Sequence, residues 1–169
     1  MTRIPLILML VGTMALAACD QNRFGNGSDF AGVGGAAGAG AGGASDPTSP
    51  AFFNQVVGDR VLFQVDQSTL SPEAQTILAA QAEWLLNNPE FTALIEGHAD
   101  EQGTREYNLA LGARRAASVR EYLVSQGVPD ARLRTISYGK ERPLEICSTE
   151  ACYMQNRRAV TVLSAGLGA

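Results

Sequence analysis

The run GVGGAAGAGAGGAS, residues 32–45, limits where this chain can fold. It offers glycine, alanine and a single valine, so it cannot bury enough apolar surface to offset its own ordering entropy. The wider segment from Asp20 to Pro50 has the same character and reads as a flexible tether. A coil of that length spans on average roughly 30 Å and, stretched out, on the order of 100 Å. A packed core must therefore come from residues 51–169, a length that suits one ordinary domain.

The other side of the tether has a different signature. MTRIPLILMLVGTMALAAC places Arg3 before an apolar run, then small residues before Cys19, the layout of an export signal over residues 1–18. Pro5 and Gly12 interrupt the run, which is short for a membrane span. Leu16-Ala17-Ala18-Cys19 resembles a lipobox, the site at which a signal is cut and the new N-terminal cysteine is acylated. Two or more acyl chains give stable anchoring where one is marginal. The alternative is a secretion signal with an incidental cysteine. Formal net charge is −4, with no basic excess to suggest nucleic acid as a partner.

Export implies an oxidising compartment, in which disulfides persist. Cys147 and Cys152 in ICSTEAC lack further ligands for a zinc site, and a local disulfide between them is the first expectation. No metal site or cofactor is expected.

Within the domain, strands and helices alternate. DRVLFQVDQS reads as a strand through Val61, Phe63 and Val65. Ser71-Pro72-Glu73 is a helix start, and Asn87-Asn88-Pro89 a stop. FTALIEG is the next strand, followed by a helix from about Thr104 to Gln126, a strand in RLRTISYG, a short helix in STEACYMQNRR and a last strand, AVTVLSA. The order β-α-β-α-β-(α)-β predicts a mixed sheet with packed helices, a two-layer α+β (α/β) fold.

The polar density of GHADEQGTREYNLALGARRA, residues 97–116, marks the candidate site. At 100° per residue, Leu109, Gly112, Ala116, Val119 and Leu123 form a core stripe, and Arg115 falls on its margin with Asn108, Leu111 and Tyr122. Asp100 lies just past a strand's carboxyl end, where open sheets tend to form sites. Asp100 and Arg115 can then share a crevice; an ordinary ion pair tying loop to helix is the other reading. His98 is expected to be a structural hydrogen bonder at the strand end. No catalytic residues are expected, because adjacent acids in one loop do not make an acid/base pair and no nucleophile is prepared beside His98.

The same stretch, with SYGKERP (137–143) and NRRAV (156–160), closely resembles the OmpA C-terminal-like domain family, and within it the peptidoglycan-associated lipoproteins. The resemblance covers about Val61 to Leu163. It implies a mixed four-stranded sheet in the order 1-4-2-3 with helices on one face. It also implies non-covalent binding of peptidoglycan through the meso-diaminopimelate of the stem peptide. The motif acid and the second arginine of the RR pair fall on Asp100 and Arg115. Asp100 would accept from the ligand's ammonium and Arg115 would hold its carboxylate bidentately. Phe63 and Asp66, Asn108 and Leu111 are expected to support them, and Asn156 and Arg158 to be scaffold. FQVD stands where FDxD is usual, so Gln64 replaces an acid. The implied setting is the outer membrane, held by the lipid on Cys19, with the domain in the periplasm. The implied partners are TolB and the other Tol-Pal components, serving envelope integrity and constriction at division.

Overall fold

The structure, a computed structural model, describes residues 43–146 and 148–165. The expected signal at 1–18, the lipidation position Cys19, most of the tether and Cys147 lie outside these residues. A short helix α1, Pro50–Phe52, runs into a wider helical turn, Phe53–Gly58. Then come β1 (Arg60–Leu62), α2 (Pro72–Asn87), β2 (Phe91–His98), α3 (Arg105–Ser125), a single 3-10 turn (Asp130–Arg132), β3 (Leu133–Gly139), α4 (Glu150–Asn156) and β4 (Arg158–Ala165).

The strands form one sheet in the order β1-β4-β2-β3. β2 and β3 run parallel through the α3 crossover, while β4 pairs antiparallel with both β1 and β2. This is the expected mixed sheet. Register explains which face is covered. Ile95 lies opposite Thr161 and Gly97 opposite Ala159, so these residues share a face with Ala93 and Leu133. That face packs on Leu78 and Leu85 of α2 and on Val119 and Leu123 of α3 in one buried cluster. Leu62, Ile136 and Val162, on the opposite face, are exposed.

Local signals set the helix starts. Ser71 Oγ accepts from Ala74 N at 3.2 Å, with Pro72 in the first turn. Thr104 Oγ1 caps α3 by accepting from Tyr107 N at 3.2 Å. Before Ala51 the chain already packs: the Trp84 indole donates to Pro47 O at 2.7 Å, and Ser49 is buried.

Two expectations change. The first strand does not reach Val65 but ends at Leu62. Phe63 N still donates to Arg157 O, but Gln67 N then turns back to Gln64 O, and Asp66 takes a left-handed φ of 57°. The α3 stripe is also rotated. Asn108, Leu111, Gly112, Arg115, Ala116, Val119 and Leu123 are buried, whereas Leu109 is 49% exposed. Arg115 therefore lies inside the buried face rather than on its margin. The spacing 108-111-112-115-116-119 is a full helical stripe, hidden in the sequence because two of its members are Asn and Arg.

Candidate functional site

Close packing of α3 on β2 comes first. A Cβ on Gly97 would overlap the Gly112 carbonyl, and one on Gly112 would lie 2.8 Å from Gly97 O. Gly97 thus serves helix–sheet approach, within the strand, rather than shaping its exit. Gly103, with φ +89°, makes the turn that leads into α3. The result sets Arg115 beside the carboxyl end of β2.

Arg115 is fully buried. Its Nε donates to Gln67 O at 2.8 Å, Nη1 to His98 O at 2.8 Å and Nη2 to Gln64 O at 3.1 Å. The guanidinium sits 5.2 Å from the centre of the Phe63 ring. The exit of β1 is wrapped around this side chain, which explains why the strand stops early. One N–H on each Nη is left over from these bonds, so the outer edge of the fork can still grip an anion. Burial lowers the Arg115 pKa to about 10, opposed by Asp100 and Asp66, which leaves it charged at neutral pH.

Asp100 does not bond Arg115. Its Oδ2 accepts from Arg157 Nη1 at 3.1 Å, and its Oδ1 from Gln102 N at 3.2 Å. The loop-to-helix ion pair considered above is thus replaced by a longer-range one, from the β2 exit to the residue before β4. Asn108 Nδ2 ties this loop to α3, donating to Gln102 O at 2.7 Å and Asp100 O at 3.3 Å. Tyr107 donates its hydroxyl to Asp66 Oδ1.

These side chains enclose a cavity of about 230 Å³. Asp66, Asp100, Asn108, Leu111 and Arg115 line it, as do Val65, Gln102, Gly103 and Tyr107, which the sequence reading did not single out. Phe63 lies behind Arg115 as its support. Carboxylates on one side and a guanidinium on the other suit a ligand end bearing both an ammonium and a carboxylate.

The NRR motif supplies the backing. Asn156, fully buried, accepts from Leu144 N and Glu145 N at 2.8 and 3.1 Å and donates to Glu145 O. Arg158 Nη2 donates to Arg142 O at 3.2 Å. Arg157, missed in the sequence, bridges Asp100 and Glu150 and is 2% exposed. Burial works against its charge, but the hydrogen bonds it donates to Glu150 and Asp100 outweigh it and raise its pKa. Its position inside the motif was the available signal.

His98 departs from expectation. Its backbone carbonyl accepts from Arg115, but neither ring nitrogen has a hydrogen-bond partner. The buried ring packs against Tyr138, with Glu96 Oε2 3.6 Å from Nε2. Burial, then repulsion from Arg158 and Arg142, lowers its pKa to about 4. Among the described residues no cluster of His, Cys, Asp and Glu could hold a metal. Cys152 is disulfide-bonded.

Residues 62–158 match the model of the OmpA family. The chain belongs to the OmpA family. Its relatives within that family include proteins named peptidoglycan-associated lipoprotein. The one from Mesorhizobium japonicum is 49% identical over 97% of this chain and 94% of its own length. The one from Rhizobium meliloti is 52% identical over 95% and 88%. Among solved OmpA-like structures, the peptidoglycan-associated lipoprotein of Burkholderia pseudomallei has a TM-score of 0.64 at 40% identity, covering 72% of this chain and 98% of that one. The C-terminal domain of Helicobacter pylori MotB, at 20% identity and a TM-score of 0.60, shares the fold.

Proposed function

We propose that this OmpA-family chain is a non-enzymatic tether that binds peptidoglycan through the zwitterionic end of meso-diaminopimelate in the stem peptide. The observation that carries the reading is the pairing, in one cavity, of Asp100 with the unspent edge of the Arg115 fork. The free end of diaminopimelate presents an ammonium and a carboxylate. Asp100 accepts from the first; Arg115 donates to the second. Asp66, Asn108, Leu111 and Phe63 shape and back the pocket. Nothing in this set is poised to break a bond, and His98 is neutral at pH 7 and does not line the cavity.

The rest of the reading concerns placement. Cys19 carries the lipid that anchors the chain in the outer membrane, and the domain faces the periplasm. Cys147 closes the disulfide of Cys152. Partners are TolB and other Tol-Pal components, in envelope integrity and division. The relatives' name supports the lipid anchor and the association with peptidoglycan.

Co-sedimentation with purified peptidoglycan tests the site. Asp100→Asn keeps the shape of the side chain and leaves Arg157 paired with Glu150, so the domain should stay folded while wall binding is lost. Undiminished sedimentation of folded Asp100→Asn would remove Asp100 from the site. Fractionation should place the chain in the outer membrane, and a pull-down should recover TolB; an inner-membrane location or no TolB would redirect the assignment of its assembly.

A further inference from the structure

Directly behind Asp100 lies a chain of charge that does not line the cavity. Arg157 Nη1 donates to Asp100 Oδ2 and Nη2 to Glu150 Oε1, while Nε donates to Phe63 O at 3.3 Å. The Arg157 side chain is 2% exposed, that of Asp100 10%, and that of Glu150 60%. Glu150 opens α4 and reaches the interior only through this guanidinium.

The charge balance gives Glu150 a purpose. Asp66 and Asp100 line the cavity with negative charge, and Arg115 lines it with positive charge. Arg157 adds a second buried cation against Asp100. Of these four groups, two carboxylates face two guanidinium groups, so without Glu150 they leave a ligand ammonium no surplus negative charge. With Glu150 the balance shifts by one charge towards holding a cation. We propose that Glu150 is a positioning residue for ammonium recognition: by neutralising Arg157, it leaves the Asp100 carboxylate available to the cationic end of the ligand. This rests on the reading of the site given above and extends it to a residue on another element.

The arrangement also separates the two halves of the zwitterion. Glu150 acts on the acceptor for the ammonium and makes no bond to Arg115, which holds the carboxylate. Its loss should therefore weaken ligands in proportion to their positive charge. A unit charge acting over roughly 10–15 Å at an effective dielectric of about 20 changes affinity by about 6- to 16-fold, which solvent screening at the exposed Glu150 lowers to about 3- to 10-fold.

The test is a calorimetric titration of the full chain, held in detergent. Two probes are used: a meso-diaminopimelate stem tripeptide, and the same peptide with its side-chain amine acetylated. Glu150→Gln is expected to weaken the amine-bearing peptide about 3- to 10-fold and to leave the acetylated one unchanged. Glu150→Asp, which keeps the charge, is expected to restore most of the loss. Equal weakening of both peptides, unchanged affinity for the amine-bearing one, or no rescue by Glu150→Asp would overturn the inference. If the unsubstituted chain binds neither peptide, the site reading itself fails and takes this inference with it. Wild-type binding combined with a null Glu150→Gln effect sinks the inference alone.

Discussion

Around Trp84 the interior is apolar; around Arg115 it is polar and charged, although the same α3 and β2 build both. At the first end Trp84 packs on Phe53 and Phe91 with ring centroids 5.0 and 5.2 Å apart, and Leu85, Leu123 and Leu133 close the cluster. At the other end Leu111 and Phe63 are buried too, but most of the large buried side chains are polar or charged: Arg115, Arg157, Asn108, Asn156 and His98. Apolar burial at about 25 cal/mol per Å² stabilises the first end without demanding any particular partner. Buried guanidinium groups are tolerated when most of their N–H groups are matched; the carbonyls of Gln64, Gln67 and His98 take three of the five on Arg115 and leave one on each Nη for a ligand. The lesson is a division of labour along one sheet. One end holds the fold, and the other holds charges in place for something outside the chain.

Removing Arg115 should break that division most severely. Arg115→Met orphans three backbone carbonyls and should cost about 3–5 kcal/mol, seen in urea unfolding, together with the loss of wall binding. A variant as stable as wild type would show that the fork is not structural. Leu85→Ala at the apolar end should cost about 2–5 kcal/mol, while its folded fraction still sediments with peptidoglycan. Loss of wall binding at temperatures where Leu85→Ala is fully folded would blur the two regions.

The polar end should also carry the pH dependence. His98 has a folded pKa of about 4 against an ordinary 6.5, so the unfolded chain binds more protons between these values. Stability from this group is fully present above pH 6.5 and is lost as pH falls towards 4, by on the order of 3 kcal/mol at most. Burial, then Arg158 and Arg142, set this shift, and Glu96 and Tyr138 also lie against the ring. His98→Phe should flatten that part of the pH–stability curve; an unchanged slope would assign it to the carboxylates instead. Smallest is the staple on α4. Cys152→Ser should cost about 2 kcal/mol and raise amide exchange over Glu150–Asn156, leaving exchange around Trp84 unchanged. Faster exchange throughout the domain would mean that α4 is not a local unit.

The sequence disclosed these two ends unequally. Ser71-Pro72-Glu73 and Asn87-Asn88-Pro89 gave a clear start and stop for α2, because capping and proline are local signals. The β-α alternation led to the mixed sheet, and the family motifs to its strand order. What it hid was polar burial. Arg115 reads as a margin residue because arginine usually faces water, and only the carbonyls of a distant loop make its burial affordable. Val61–Val65 alternates like a strand, yet Arg115 bends its second half away. Arg157 looks equivalent to its neighbour Arg158, and nothing local tells which one reaches Asp100. Asp100 and Arg115 were legible through the family motif, whereas Gln102 enters the cavity through loop geometry and Tyr107 through the first turn of α3.

The central claim is that the cavity clamps both charges of one ligand end. It is tested most directly by comparing stem peptides that differ at that end, titrated into the full chain under one set of conditions. A lysine-containing stem peptide keeps the ammonium but lacks the carboxylate, so it leaves the outer edge of Arg115 unmatched. The account predicts that the meso-diaminopimelate peptide binds on the order of 100-fold more tightly than the lysine peptide. Equal affinity for the two would contradict it.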